Sequence, residues 1–279
     1  MPEVFGFDCY APRQIAERVE NVGVSKARLP LLSVIALGVL AGGFIGLGAM
    51  AATLVFSDAG LGFASARLLG GLVFSLGLIL VVIAGAELFT GNNLLVMACV
   101  SRRITPAQLL LNLGLVYTAN FVGAAGLAAL VALSGHARFN EGAVGETAVA
   151  IAAAKCALPF TEAFFKAVLG NVLVCLAVWL AMAGRTVIDK VAAIVFPITI
   201  FVACGFEHCI ANMYFIPLGL FLRGEFPPAE ATALAALDWA GLARNLAPTT
   251  LGNLTGGAGM VGLVYWIIYR RDQAPPPAA

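Results

Sequence analysis

Charge is scarce in this chain. Basic and acidic residues together make 11% of 279 residues, where an ordinary soluble domain carries about 25%. Histidine is scarcer still, with His136 and His208 alone. A hydrophobic content of 61% and a mean hydropathy of +0.97 leave more apolar surface than one soluble core can hide, so the chain reads as an all-α integral membrane protein. A net charge of +1 gives no electrostatic hold on nucleic acid. The six cysteines show no C-x-x-C and no Cys/His metal spacing, and most sit in apolar runs where a small packing residue belongs. There is no G-x-S-x-G nucleophile turn and no N-P-A, so neither metal, cofactor nor enzymatic chemistry is expected. The N-terminus is polar up to Leu29 and lacks a short apolar segment with a small-residue cleavage site, which argues against a signal peptide.

What is present is a series of long apolar runs. A hydrocarbon layer about 30 Å thick takes roughly 20 residues of helix, and the runs near Leu31–Phe56, Leu68–Val100, Gln108–Leu133, Phe160–Ala183, Val187–Leu222 and Pro248–Tyr269 give six transmembrane segments. The second and fifth are too long for one straight span even with tilt. Each has a polar interruption near its middle, and the fifth also holds Pro197 and Pro217, so both are expected to be broken helices. Placing the N-terminus in the cytoplasm puts Arg13, Arg18, Lys26, Arg28, Arg102, Arg103, Arg185, Lys190, Arg270 and Arg271 inside. Arg67, Arg138, Lys155, Lys166, Arg223 and Arg244 then lie outside. That bias favours both termini inside. Tyr265, Trp266 and Tyr269 suit an interfacial anchor for the last helix. The domain reading is a cytoplasmic N-terminal segment over 1–29, a transmembrane channel domain over 30–271 and a disordered tail over 272–279.

The two overlong segments share a pattern. GAELFTGN (85–92) and GFEHCIAN (205–212) both read G-x-E-x-x-x-x-N, displaced by 120 residues. In the helix that follows each, NFVGAAG (120–126) and NLTGGAG (253–259) both read N-x-x-G-x-x-G. Two matches in corresponding helices indicate an internal duplication, with repeats over about 30–133 and 159–271. Three helices is an odd number, so the second copy enters the membrane inverted. Paired broken helices in inverted repeats point to a substrate path at the midplane, because irregular backbone at that depth is tolerated only where protein buries it or a cavity borders it. The glycines of N-x-x-G-x-x-G would let helices approach closely.

Residues kept in both copies serve what both share, the break itself. Glu87 and Glu207 can accept from freed backbone N–H groups or from nearby side-chain donors, and Asn92 and Asn212 can cap or bridge the restarted half-helix. Residues that differ are the better functional candidates: Leu88 against His208, and Thr90 against Ile210. His208 is either a neutral ring bonded into the bundle or a pore group that hydrogen-bonds, or exchanges a proton with, a small polar solute. Its place beside a helix break favours the second. Lys155 and Lys166 flank the outer start of the fourth helix, where a cation could draw in an anion or simply snorkel. Asn171 could reach the Glu207–His208 region. Phe74, Leu78, Leu88 and Phe201 could form apolar constrictions, or pack.

AGAELFTGNNLLV, GFEHCIANMYFIP and the N-terminal GVSKARLP resemble the formate–nitrite transporter family from about Phe7 to Arg271, and RLLGGLVFSLGLILVVIAGAELFT and AGRTVIDK are most similar to its formate-channel branch. The resemblance implies an aquaporin-like protomer in a homopentamer, one pore per protomer, in the inner membrane. It implies His208 and Thr90 as the central pair, with Asn171, Glu207 and Asn212 holding the histidine. Lys155 becomes the outer-vestibule lysine, and Phe74, Leu78, Leu88 and Phe201 the two constrictions. The expected solute is formate, with proton coupling through the histidine. Nitrite or hydrosulfide is the alternative within the family, and a neutral solute of the aquaporin kind the alternative outside it.

Overall fold

The computed structural model describes residues 9–227 and 235–273, all of it helix, turn and loop with no strand among the described residues. Five helices are long and apolar enough to cross a membrane: α2 (Leu31–Phe56), α3 (Phe63–Gly85), α5 (Pro106–Leu133), α7 (Phe160–Ala183) and α10 (Trp239–Tyr269). α2 and α7 begin and end at the residues that hydropathy marks. The expected second segment is α3 followed by a short helix α4 (Phe89–Val100), and the fifth is α8 (Val187–Ala203) followed by α9 (Cys209–Leu222). At 1.5 Å per residue neither α4 nor α9 crosses 30 Å alone.

The chain turns at glycine in both breaks. Gly85 has φ +86° and Gly205 φ +70°, left-handed values that a side chain disfavours. Pro197 and Pro217 lie inside α8 and α9 and do not make the break. α10 begins at Trp239, ahead of the expected Pro248, because the Asp238 side chain accepts from the Gly241 N–H and caps a polar first stretch that hydropathy passes over.

Two helices lie outside the hydropathic count. α1 (Pro12–Ala27) occupies the segment expected only to be polar, and buries Ile15, Ala16, Val19 and Gly23. Its Glu20, 1% exposed, meets Arg270 Nε at 2.6 Å and Arg103 at 3.5 Å, which ties the N-terminal helix to both the last helix and the end of α4. α6 (Ala143–Cys156) fills the connection between the repeats. The tail expected from residue 272 lies, beyond Gln273, outside the described residues, as do residues 228–234 of the longer second-half connection.

Packing follows the duplication. α2 lies on α3 and α5, α7 lies on α8 and α10, and α3 meets α8 between the two sets. A Cβ on Gly123 would come within 1.9 Å of the Val39 carbonyl oxygen, and one on Gly256 within 2.2 Å of that of Val168. So the first glycine of each N-x-x-G-x-x-G lets α5 and α10 press onto α2 and α7. The second, Gly126 and Gly259, faces open space. The aromatic end of α10 packs on protein: Tyr265 stacks on Trp179 with ring centroids 4.1 Å apart, and Trp266 Nε1 donates to Ser101.

Candidate functional site

Each break is held by the same set of side chains. In the first half Lys26 Nζ meets Glu87 Oε1 at 2.8 Å, Asn92 Nδ2 donates to Glu87 Oε2 at 2.7 Å and to Asn112 Oδ1 at 2.9 Å, and Asn112 donates to the Lys26 carbonyl. In the second half Lys155 Nζ meets Glu207 Oε1 at 2.7 Å, Asn212 Nδ2 donates to Glu207 Oε2 and to Asn245 Oδ1, each at 2.6 Å, and Asn245 donates to the Lys155 carbonyl. The carboxylates therefore take side-chain donors and not backbone N–H groups. The backbone of the breaks is satisfied by the asparagines of N-x-x-G-x-x-G. Asn120 donates to the Gly38 and Glu87 carbonyls and accepts from Phe89 N–H. Asn253 donates to the Ala167 and Glu207 carbonyls and accepts from Cys209 N–H. With no water at that depth, orphaned peptide groups would cost several kcal/mol each, and one buried amide on each side answers two of them while its third bond ties the break to a neighbouring long helix.

Lys26, Asn112, Asn120, Asn245, Asn253 and both lysine-bearing helices escaped sequence reasoning as parts of the site. A signal was available. Lys26–Pro30 and Lys155–Pro159 both read K-x-x-L-P ahead of the first helix of each repeat, so the repeat begins upstream of its apolar span.

The two breaks meet at one bond. His208 Nε2 lies 2.8 Å from Thr90 Oγ1. His208 is also the N-cap of α9, and its Nδ1 accepts from the Ala211 N–H at 3.0 Å. An acceptor Nδ1 puts the ring proton on Nε2, so imidazole donates to the threonine. Thr90's own hydroxyl hydrogen then has no protein acceptor among the described residues. Asn171 and Cys175 of α7 both donate to the Thr90 carbonyl, at 3.4 and 3.3 Å, and Asn171 also donates to that of Asn253. Asn171, Glu207 and Asn212 thus do not touch the imidazole. Asn171 fixes the threonine side of the pair, while Glu207 and Asn212 brace the loop that carries the histidine.

Two cavities flank this pair. The first, about 250 Å³, is bordered by Phe74, Phe201 and His208 at its depth and by Arg67, Lys155 and Lys166 among others. The Phe74 and Phe201 rings lie 5.9 Å apart, and Phe201 meets the His208 ring edge-on at the same separation. The second, about 420 Å³, is bordered by Leu78, Leu88, Lys26, Glu87 and Asn92. His208 is 3% and Thr90 0% exposed. Such an arrangement offers a small solute the free hydroxyl hydrogen of Thr90, backed by the imidazole, between phenylalanine on one side and leucine on the other. Among the described residues no group of three or more His, Cys, Asp or Glu side chains is placed to hold a metal ion.

A family model described as formate/nitrite transporter matches residues 13–267. The formate channel FocA of Escherichia coli K12 is 40% identical over 95% of this chain and 96% of its own length. Among solved structures, an FNT family ion channel superposes with a TM-score of 0.80 at 30% identity, covering 91% of this chain and 98% of that one. A pentameric formate channel with formate bound superposes with a TM-score of 0.77 at 36% identity, covering 86% and 97%. With that match over nearly its whole length, the chain belongs to the formate/nitrite transporter family.

Proposed function

We propose that the protein passes small monovalent anions, formate first among them, through a pore in each protomer, by way of the His208–Thr90 pair. The carrying observation is the 2.8 Å bond between the two side chains at the point where both helix breaks converge and a cavity opens on either side. A bare carboxylate at the bilayer centre costs about 3 kcal/mol or more. The threonine hydroxyl and the imidazole lower that cost by hydrogen bonding, while the ring pair Phe74–Phe201 and the leucines Leu78 and Leu88 exclude hydrated ions. A proton travelling with the anion would remove the charge altogether. Because Nδ1 is occupied by the Ala211 N–H, the imidazole accepts a second proton only by giving up its cap on α9.

The relatives described as formate channels, one of them a solved pentameric structure with formate bound, support formate and a homopentamer. The excess of basic residues in one set of loops and the paired breaks support reading residues 30–271 as a channel domain of the cytoplasmic membrane, its repeats inverted and both termini inside. The chain is read as a transporter and not an enzyme. The test is formate uptake into proteoliposomes with an inward proton gradient. His208→Phe is expected to abolish proton-coupled uptake while the protein still assembles. Unchanged uptake with unchanged pH dependence would remove the histidine from the mechanism.

A further inference from the structure

The first cavity holds three cations, and two of them are already neutralised. Lys155 pairs with Glu207 at 2.7 Å, and Lys166 pairs with Glu162 one helical turn away at 2.5 Å. The third, Arg67 of α3, has no carboxylate partner among the described residues. Its Nε and one Nη donate to the carbonyls of Ala203 and Val202 at 3.2 and 2.7 Å, and its face lies 5.1 Å from the centroid of Phe56. Those carbonyls are the last of α8, just before the left-handed Gly205, where the helix end carries partial negative charge. They hold the guanidinium in place without cancelling its unit charge. A guanidinium has five N–H groups, so three remain after the two carbonyl bonds, on a residue that borders the cavity. Among the described residues the second cavity has no counterpart: its cation, Lys26, is matched by Glu87.

We infer that Arg67 is the anion-recruiting charge of the first cavity, the specificity-determining group that concentrates a small carboxylate ahead of the phenylalanine constriction. Lys155 serves chiefly to brace the Glu207 loop. This rests on the transport reading above and adds to it which cation sets the apparent affinity and from which side. A fixed charge at the mouth of a low-dielectric cleft raises the local concentration of counter-ions, and salt screens that effect.

The experiment is radiolabelled formate uptake into proteoliposomes as a function of formate concentration, at about 10 mM and about 150 mM ionic strength, where the screening length falls from about 30 Å to about 8 Å. Arg67→Gln is expected to raise the half-saturating formate concentration roughly three- to tenfold, to leave the maximal rate within about twofold, and to flatten the salt dependence. Arg67→Lys restores the half-saturating concentration and the salt dependence, since it keeps the charge but loses the planar fork. Ala154→Glu, an exposed position bordering the same cavity, adds an opposing charge with the Arg67 tether intact and is expected to act like Arg67→Gln, which keeps the test decisive if the glutamine variant does not fold. If Arg67→Gln and Arg67→Lys lower the maximal rate alike, with wild-type half-saturation and salt response, or if Ala154→Glu changes nothing, Arg67 is only a strut for α8 and the inference falls. A wild-type protein that carries no formate would instead overturn the transport reading itself.

Discussion

The stretches Gly85–Asn92 and Gly205–Asn212 solve one mechanical problem in the same way with a shared glycine, glutamate and asparagine, and differ at the five positions between. Both turn at a left-handed glycine, pair a buried glutamate with a lysine, tie it to an asparagine five residues on, and satisfy the loop carbonyl with an asparagine from the following long helix. Against that shared frame, one loop presents Leu88 and Thr90 and the other His208 and Ile210. The lysine also differs. Lys26 gives a second bond to Asn92 Oδ1, whereas Asn212 Oδ1 is buried without a partner among the described residues, and Lys155 lies 5.4 Å from the centre of the Phe215 ring. Symmetry therefore serves the scaffold, and the departures at Thr90 and His208 are where we propose the solute passes.

The comparison can be broken at its ion pairs first. The two glutamates are equally buried at 5%, but Lys155 is 14% exposed and Lys26 25%, so the Lys155 pair is the more fully withdrawn from water. Lys155→Met is expected to cost about 3–5 kcal/mol of stability, measured by thermal unfolding of the detergent-solubilised protein. Adding Glu207→Gln should recover much of it, and Lys26→Met should cost less than Lys155→Met. Equal losses at the two lysines would mean that burial does not distinguish the halves. Next in size are the bridging asparagines. Asn120→Ala and Asn253→Ala each orphan two backbone groups of a break, and each is expected to lose on the order of 2 kcal/mol, the two agreeing closely in the same melting experiment.

Thr90→Val keeps the shape of the side chain and removes the hydroxyl. Formate uptake should fall about tenfold, the worth of a hydrogen bond of ~1.4 kcal/mol, while Ile210→Val at the matching position in the other loop leaves uptake near wild type. The smallest effect belongs to the glycines. Gly85→Ala meets nothing within 4 Å, and its positive φ alone costs about 1 kcal/mol. Gly205→Ala carries the same strain and also brings its Cβ within 3.1 Å of an Arg67 nitrogen, so its melting temperature should drop further than that of Gly85→Ala.

Much of the architecture is legible in residue type and spacing. Runs such as Leu31–Phe56 and Phe160–Ala183 have helix ends that hydropathy reproduces to the residue, because a bilayer tolerates no other way of burying a long apolar backbone. The broken helices were visible because a hydrocarbon layer accepts an ionisable residue inside an overlong run only where the bundle interior or a cavity receives it. The helices that escaped were α1 and α6. α1 is amphipathic and buries one face on protein, and α6 has 14 residues, about 21 Å at the helical rise, so neither carries the long apolar signature. Pro197, Pro217 and Pro248 misled for a related reason. A proline marks a lost N–H locally, but neighbouring helices can make good that loss within a membrane bundle, and the turns went to glycine.

By itself the sequence determined the membrane class, the duplication, the position of both breaks and the odd histidine, since each of these depends on residue type and spacing along one chain. Only the tertiary structure decided which partner each buried polar group takes. Glu207 turns to Lys155 and not to His208, Asn171 holds Thr90 and not the imidazole, and Arg67 is the first cavity's cation without a carboxylate among the described residues. Pairing at low dielectric depends on distances of a few ångströms between elements that lie far apart in the chain, and no local pattern encodes those distances.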